Sequence, residues 1–559
     1  MRLVNGLRFD NLKGDIYGGL TAAVVALPLA LAFGVSSGAG PVAGLYGAIC
    51  VGFFAALFGG TPSQVSGPTG PMTVVMATVL MQYTAMFPDD PARGFAIAFT
   101  VVMMGGAFQI VFGVLRLGNY INMMPHPVTS GFMSGIGVII ILLQIEPLLG
   151  YPALSGPLES LRALPELMGQ PPGAAAAVGV GTLAIVYLMP ARINRIVPAP
   201  LVALVAGALV LRFWSPDSDV PVLGEIPAGL PALQMPTVTL ALLPDMIKSA
   251  VVLAVLGSID SLLTSLVADN VTRTYHRSDR ELVGQGIGNM VAGLFGGLPG
   301  AGATMRTVVN VKAGGRTPIS GALHAAVLLI LVLGAGGLAS GIPHAVLAGI
   351  LIKVGTDIID WDYLRRLRTA PPVGVLVMFT VLLITVFIDL ITAVATGVVM
   401  ASFIFLKRMT DLQLEHAKPM RGAGDHASLS AEEVKILDDA GGRILLYHLS
   451  GPLSFSSAKG VARKLADFDE YDVLLLDLSD VTQIDYTSSR AVGDMIADGQ
   501  ARGRVVLLVL RAGDVDNLLA KYGVRGSVDD GQIFTSRLEA LRSAASVGDA
   551  APDAVRADR

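Results

Sequence analysis

Apolar stretches alternate with short polar turns from about Ile16 to Phe405, and beyond that point the pattern changes abruptly. Many of the stretches are long enough to cross a bilayer. Spans are predicted near 16–36, 41–60, 69–87, 94–115, 127–148, 173–190 and 198–213. A second set follows near 247–269, 283–298, 304–313, 317–338, 343–358, 372–388 and 391–406. The first apolar segment follows Arg2, Arg8 and Lys13 but is too long for a cleaved signal peptide, so it is read as a retained span. The expected fold class is an α-helical membrane protein with seven plus seven transmembrane segments.

Loop charges support this count. With the N-terminus inside, one set of loops holds Arg116, Arg192, Arg195, Arg273, Arg277, Arg280, Lys312, Arg316, Arg365, Arg366, Arg368, Lys407 and Arg408. The opposite loops hold little beyond Arg93, Arg162 and Arg212. Basic residues collect on the cytoplasmic side, so both termini are expected there.

After Gln413 the periodicity becomes that of a soluble α/β domain. Strand-like segments at Ile444 to Leu449, Val473 to Leu478 and Val505 to Leu510 alternate with helix-like ones at Ser456 to Phe468, Ser488 to Asp498 and Val515 to Tyr522. The expected organisation is a membrane domain over 1–408, a linker over 409–432, an α/β domain over 433–545 and a disordered tail over 546–559.

Two segments 234 positions apart are variants of one pattern: Pro68-Thr69-Gly70-Pro71-Met72-Thr73-Val74-Val75 and Gly302-Ala303-Thr304-Met305-Arg306-Thr307-Val308-Val309. Each follows a Gly/Pro-rich break and opens an apolar run, so each reads as a half-helix starting inside the membrane. Matched interrupted segments in two halves of a chain point to a transporter's substrate site. Such helix ends present unpaired N–H groups and the positive end of a dipole, which suit a small anion. Thr69 and Thr304 add hydroxyls, while Gly67, Gly70, Gly300 and Gly302 allow backbone to approach a ligand. The alternative is that these glycines only let helices pack closely.

Asp260 falls near the middle of a span, where a carboxylate is costly unless it is paired, protonated or bound to a cation. Thr264 lies one turn on, so two oxygens share a helix face. A hard cation such as Na+ takes ligands of this type. A structural hydrogen bond or an interhelical ion pair is the alternative. Arg306 leaves three options open: a charge for a divalent anion, a partner for Asp260, or a side chain snorkelling to the surface. His126, His276 and His324 are isolated and read as loop or packing residues, and Asp389 and Glu146 as interfacial ones.

Composition narrows the function classes. The 559 residues are 53% hydrophobic and 15% charged, too apolar for an ordinary soluble enzyme. A net charge of -4 with no basic stripe argues against a nucleic-acid partner. The single cysteine, Cys50, excludes an internal disulfide. No Gly-x-x-x-x-Gly-Lys-Ser/Thr occurs, so an ATP-driven motor is not expected.

The order of Ala26-Leu27-Pro28-Leu29-Ala30-Leu31-Ala32-Phe33-Gly34, Gly44-Leu45-Tyr46, Gly67-Pro68-Thr69-Gly70-Pro71 and Gly300-Ala301-Gly302-Ala303-Thr304 resembles the sulfate permease anion transporters that carry a C-terminal STAS domain. Within that family, Asp260 to Asp269, Glu281 to Asn289 and Gly314-Gly315-Arg316-Thr317 are most similar to the sodium-dependent bicarbonate transporters. Arg306 looks like the arginine common among sulfate permeases at large.

The resemblance implies core and gate domains from inverted repeats, with elevator-like transport in a bacterial plasma membrane. It implies anion contacts from Thr69, Thr304 and Ala303, the last through its backbone N–H, with Arg306 beside them. It implies Na+ at Asp260, Thr264, Gly302 and Thr304, and no organic cofactor. Bicarbonate ranks ahead of sulfate as substrate. Proton-coupled uptake of sulfate or a dicarboxylate, anion exchange, and an anion sensor signalling through the soluble domain are the alternatives. Val473 to Asp480 followed by Ile484-Asp485-Tyr486-Thr487-Ser488-Ser489 resembles STAS, which implies a homodimer through that domain. Thr487 occupies the position phosphorylated in regulatory relatives, although a plain helix cap explains the same residues.

Overall fold

A computed structural model describes residues 8–121, 125–154, 156–168, 173–194, 197–214, 220–224, 233–421 and 429–550. The chain divides into two compact units between Val399 and Met400.

Each of the fourteen apolar segments overlaps a helix, and the segment 127–148 breaks at Gln144 into His126–Leu143 and a short helix Ile145–Leu149. The first half contains α1 Leu12–Ser36, α2 Pro41–Phe58, α3 Gly70–Met86, α4 Pro91–Val114, α5 His126–Leu143, α6 Ala174–Leu188 and α7 Ala199–Trp214. The second contains α8 Leu243–Thr272, α9 Ser278–Leu294, α10 Thr304–Lys312, α11 Pro318–Ala339, α12 His344–Ile358, α13 Pro372–Phe387 and α14 Leu390–Glu415. Six membrane-crossing candidates stand out by length and composition alone among the described residues. Proline opens α2, α4, α11 and α13, where its fixed φ suits a first turn and its missing N–H costs nothing. The helix Pro157–Met168 was not anticipated, because its mixture of polar and apolar residues gives no hydropathy signal.

Small residues let the helices touch backbone to backbone. A Cβ on Gly106 of α4 would lie 2.5 Å from the Gly286 carbonyl of α9, and one on Gly284 would lie 2.3 Å from the Gly59 nitrogen beyond α2. At the start of α1, the buried Asp15 accepts from the Arg316 and Thr317 N–H groups at 2.8 and 3.0 Å and from the Thr317 hydroxyl at 2.7 Å. This ties the first helix to the turn that opens α11.

The second unit is built on a five-stranded sheet in the order β3-β4-β5-β6-β7: Lys418–Met420, Ile444–Leu453, Val473–Ile484, Val505–Val509 and Ile533–Phe534. The first pair is antiparallel and the others parallel. Helices cover both faces, so the strands read as continuous apolar runs. Leu474 and Leu476 pack with Val492 and Ile496 on one side, and Val473 and Leu475 with Leu437 and Leu541 on the other.

Three expectations need correction. The predicted linker over 409–432 contains the end of α14 and the strand β3, whose Lys418 pairs with His448, so part of it belongs to the sheet. The predicted tail over 546–559 begins inside a helix, Arg537–Ala550, and its remainder, 551–559, lies outside the described residues. Arg195 of the predicted basic loops also lies outside them. Glu146 is not interfacial: it is buried, and neither carboxylate oxygen has a hydrogen-bond partner.

Candidate functional site

The paired motifs meet. Ser66–Gly67, just before α3, forms β1, and Ala301–Gly302, just before α10, forms β2. The two are antiparallel, with Ser66 opposite Gly302 and Gly67 opposite Ala301. Both half-helices therefore start within three residues of one short ladder. The first-turn N–H groups of Gly70 and Met72 in α3, and of Thr304, Met305 and Arg306 in α10, have no acceptor inside their helices. Each end carries about half a positive charge from its macrodipole.

Glycine is required where the strands touch. A Cβ on Gly300 would lie 2.5 Å from the Gly67 carbonyl carbon, and Gly67 itself has φ +154°. The side chain of Asn289 holds this turn from α9, donating to the Gly300 carbonyl at 2.9 Å and accepting from its N–H at 2.7 Å.

Thr69 is the N-cap of α3, yet its side chain makes no capping bond. Its buried hydroxyl makes no well-formed hydrogen bond, and the polar group it meets is the Asp260 carboxylate on α8. A hydroxyl so placed at a helix start is available to a ligand. Asp260, on α8, is 6% exposed, and its Oδ2 atom is likewise unpartnered. Four residues on, the Thr264 hydroxyl donates to the Gly302 carbonyl at 2.9 Å and lies 2.7 Å from the Thr304 hydroxyl. Three oxygens of the expected cation set are thus gathered, with a carboxylate one helical turn away.

Two other expectations fare differently. The Ala303 N–H is not free for an anion: it donates to Val65 at 2.9 Å, because the β1–β2 ladder continues one residue further than its glycines. Donors one to three residues later in α10 remain. Arg306 does not snorkel. It is 2% exposed, and Nη2 donates to the Pro68 carbonyl at 2.5 Å, bridging the two motifs, while Nε and Nη1 have no partner. Asp260 and Arg306 interact electrostatically.

The sulfate permease family pattern matches residues 12–381, and a STAS domain pattern matches residues 435–540. The chain belongs to the sulfate permease family. It is 48% identical to the bicarbonate transporter BicA of Picosynechococcus sp., over 97% of this chain and 96% of that one. The transmembrane domain of a cyanobacterial BicA aligns with a TM-score of 0.65 and 53% identity, covering 70% of this chain and all of that one. SLC26A9 aligns with a TM-score of 0.80 at 18% identity, over 97% and 92% of the two chains, which shows a shared fold. In this family the membrane unit is a multi-pass transporter.

Several residues that brace the β1–β2 ladder were not among the candidate site residues. Glu281, Gln285 and Asn289 recur every four residues along α9, a polar stripe on an apolar helix that helical spacing alone could have flagged. Gln64 and Ser261 gave no such signal; the Ser261 hydroxyl accepts the Gly302 N–H at 3.0 Å. In the STAS unit, Thr487 is exposed in the first turn of the helix Tyr486–Ala501, and Asp485 caps that helix by accepting from the Ser488 N–H at 2.8 Å.

Proposed function

We propose that this protein is a secondary active transporter of a small inorganic oxyanion, with bicarbonate as substrate and Na+ as the coupling ion. The observation that carries the reading is the pair of half-helix starts on one ladder, with the Thr69 hydroxyl and the Asp260 carboxylate beside their first-turn N–H donors. Oxyanions suit hydroxyl and N–H donors at helix N-termini. The similarity to BicA favours bicarbonate among them.

The Na+ reading rests on Thr264, Gly302 and Thr304, whose oxygens already lie within hydrogen-bond distance of one another, and on the unpartnered Asp260 carboxylate nearby. A cation there neutralises the buried carboxylate and strengthens the field felt by the anion. Coupling follows because each ion lowers the cost of holding the other. The carrier then moves the α3 and α10 elements against the remaining helices in an elevator-like step. Both termini face the cytoplasm, the STAS units form a homodimer, and Thr487 is a regulatory phosphorylation position.

Arg306 favours a second reading, sulfate, because a full buried positive charge beside two helix dipoles suits a divalent anion. Proteoliposome uptake of labelled bicarbonate, sulfate and a dicarboxylate, with and without a Na+ gradient at fixed pH, separates these. Bicarbonate uptake that needs Na+ supports the first; Na+-independent sulfate uptake refutes it.

A further inference from the structure

Glu281 lies in α9, outside both half-helices, and is 1% exposed. Four N–H donors converge on its carboxylate. Oε2 accepts from the Gly60 and Thr61 backbone at 2.8 and 2.9 Å, and Oε1 accepts from the Gln64 and Gln285 side-chain amides, each at 2.8 Å. Every bond runs toward the carboxylate, so Glu281 fixes which way both amides point.

Those amides reach the ladder. Gln285 Nε2 also donates to the Ser66 hydroxyl at 2.6 Å, and Ser66 pairs with Gly302. Gln64 packs against Gly302 so closely that a Cβ there would lie 2.4 Å from its Nε2. Its Oε1 accepts from the Ser265 hydroxyl at 3.0 Å, next to Thr264 on α8. One carboxylate thus connects the loop after α2, strand β1, strand β2 and the Ser261–Ser265 stripe of α8, which adjoins the one carrying Asp260 and Thr264.

We infer that Glu281 is a positioning residue for the anion site, holding the β1–β2 ladder, through Gln64 and Gln285, at the spacing that aims both half-helix starts at one anion. A two-residue ladder has too few backbone bonds to hold that spacing by itself. Charge-assisted hydrogen bonds to a common acceptor supply the stiffness. Glu281 touches neither Thr69 nor Thr304, so it acts on affinity through geometry.

This inference rests on the anion-transport reading for its uptake test, and a second measurement stands apart from transport. In proteoliposomes, Glu281→Gln is expected to raise the apparent KM for labelled bicarbonate by about tenfold while leaving saturated turnover within about twofold, because binding geometry is lost and the moving elements are intact. Moving the carboxylate to the other end of the same hydrogen bond, Glu281→Gln with Gln64→Glu, is expected to recover most of that affinity. In anion-free full-length protein, amide deuterium exchange over 69–73 and 304–307 is expected to quicken in Glu281→Gln, with α4 unchanged.

An unaltered KM in a folded variant overturns the inference, as does lost turnover at constant KM or exchange that quickens equally across all helices. Should Glu281→Gln not fold, Gln64→Met reads the same quantity: a raised KM supports the inference and a wild-type KM overturns it. A wild-type protein that moves no bicarbonate refutes the transport reading, and the exchange experiment still decides this one.

Discussion

One charge cluster of the STAS unit and the candidate site of the membrane unit are buried in opposite ways. In the STAS unit, Arg537 pairs with Glu433 at 2.9 Å and with Asp477 at 3.2 Å, while Asp477 also meets His448 at 2.8 Å. Burial pushes both carboxyls up, but hydrogen bonds from Arg537 and Ser430 hold Glu433 below its ordinary value, and bonds from His448 and Ser479 do the same for Asp477. At the half-helix starts, Asp260 Oδ2 and Arg306 Nε and Nη1 are buried without a hydrogen-bond partner, unlike the satisfied carboxylates of Asp15 and Glu281. A satisfied cluster specifies a fold, whereas an unsatisfied one near free helix ends is open to a ligand.

The sharpest way to break that contrast is Gly300→Ala. Its Cβ would meet the Gly67 backbone at 2.5 Å, and backbone cannot swing aside as a side chain can. Anion binding to detergent-solubilised protein should vanish while the STAS unit stays folded by circular dichroism. Retained affinity would show that the ladder spacing is not needed.

Asp260→Asn comes next. It should abolish Na+-dependent uptake while preserving expression and assembly, because this buried carboxylate is the one full negative charge of the proposed cation set. Flux at several Na+ concentrations checks this, and an unchanged Na+ dependence would remove Asp260 from coupling.

Arg306→Gly should act more selectively, by shifting preference from sulfate towards bicarbonate. A unit charge at about 4 Å is worth on the order of 4 kcal/mol at an effective dielectric of about 20, before solvation losses. Competition between the two anions in wild type and variant measures the shift. An identical ranking would confine Arg306 to holding the Pro68 carbonyl.

The smallest effect on transport should come from the satisfied cluster. Asp477→Asn should cost the STAS unit about 3 kcal/mol, since Arg537 loses a buried partner, and should leave the anion KM unchanged. Because Asp477 and Glu433 titrate below their unfolded values, their contribution to stability is complete above about pH 5 and is lost as pH falls through the lowered folded values. Melting of the STAS unit followed from pH 7 to pH 3 should show this loss, and Asp477→Asn should flatten the curve.

By itself the sequence determined the helices and marked the residues at the two half-helix starts. Period and length mark an apolar helix locally, so all fourteen segments were legible, and the repeated Thr-Val-Val motif marked Thr69 and Thr304. Asp260 and Thr264 were legible because helical spacing places them on one face. Tertiary structure alone decided what the other atoms do. The Ala303 N–H went to Val65, the Arg306 guanidinium to Pro68, and Glu281 to Gln64, across separations of more than 200 residues in each case. A hydrogen bond depends on which acceptor lies within about 3 Å, and the spacing of residues along one helix carries no record of what a distant strand or helix brings beside it.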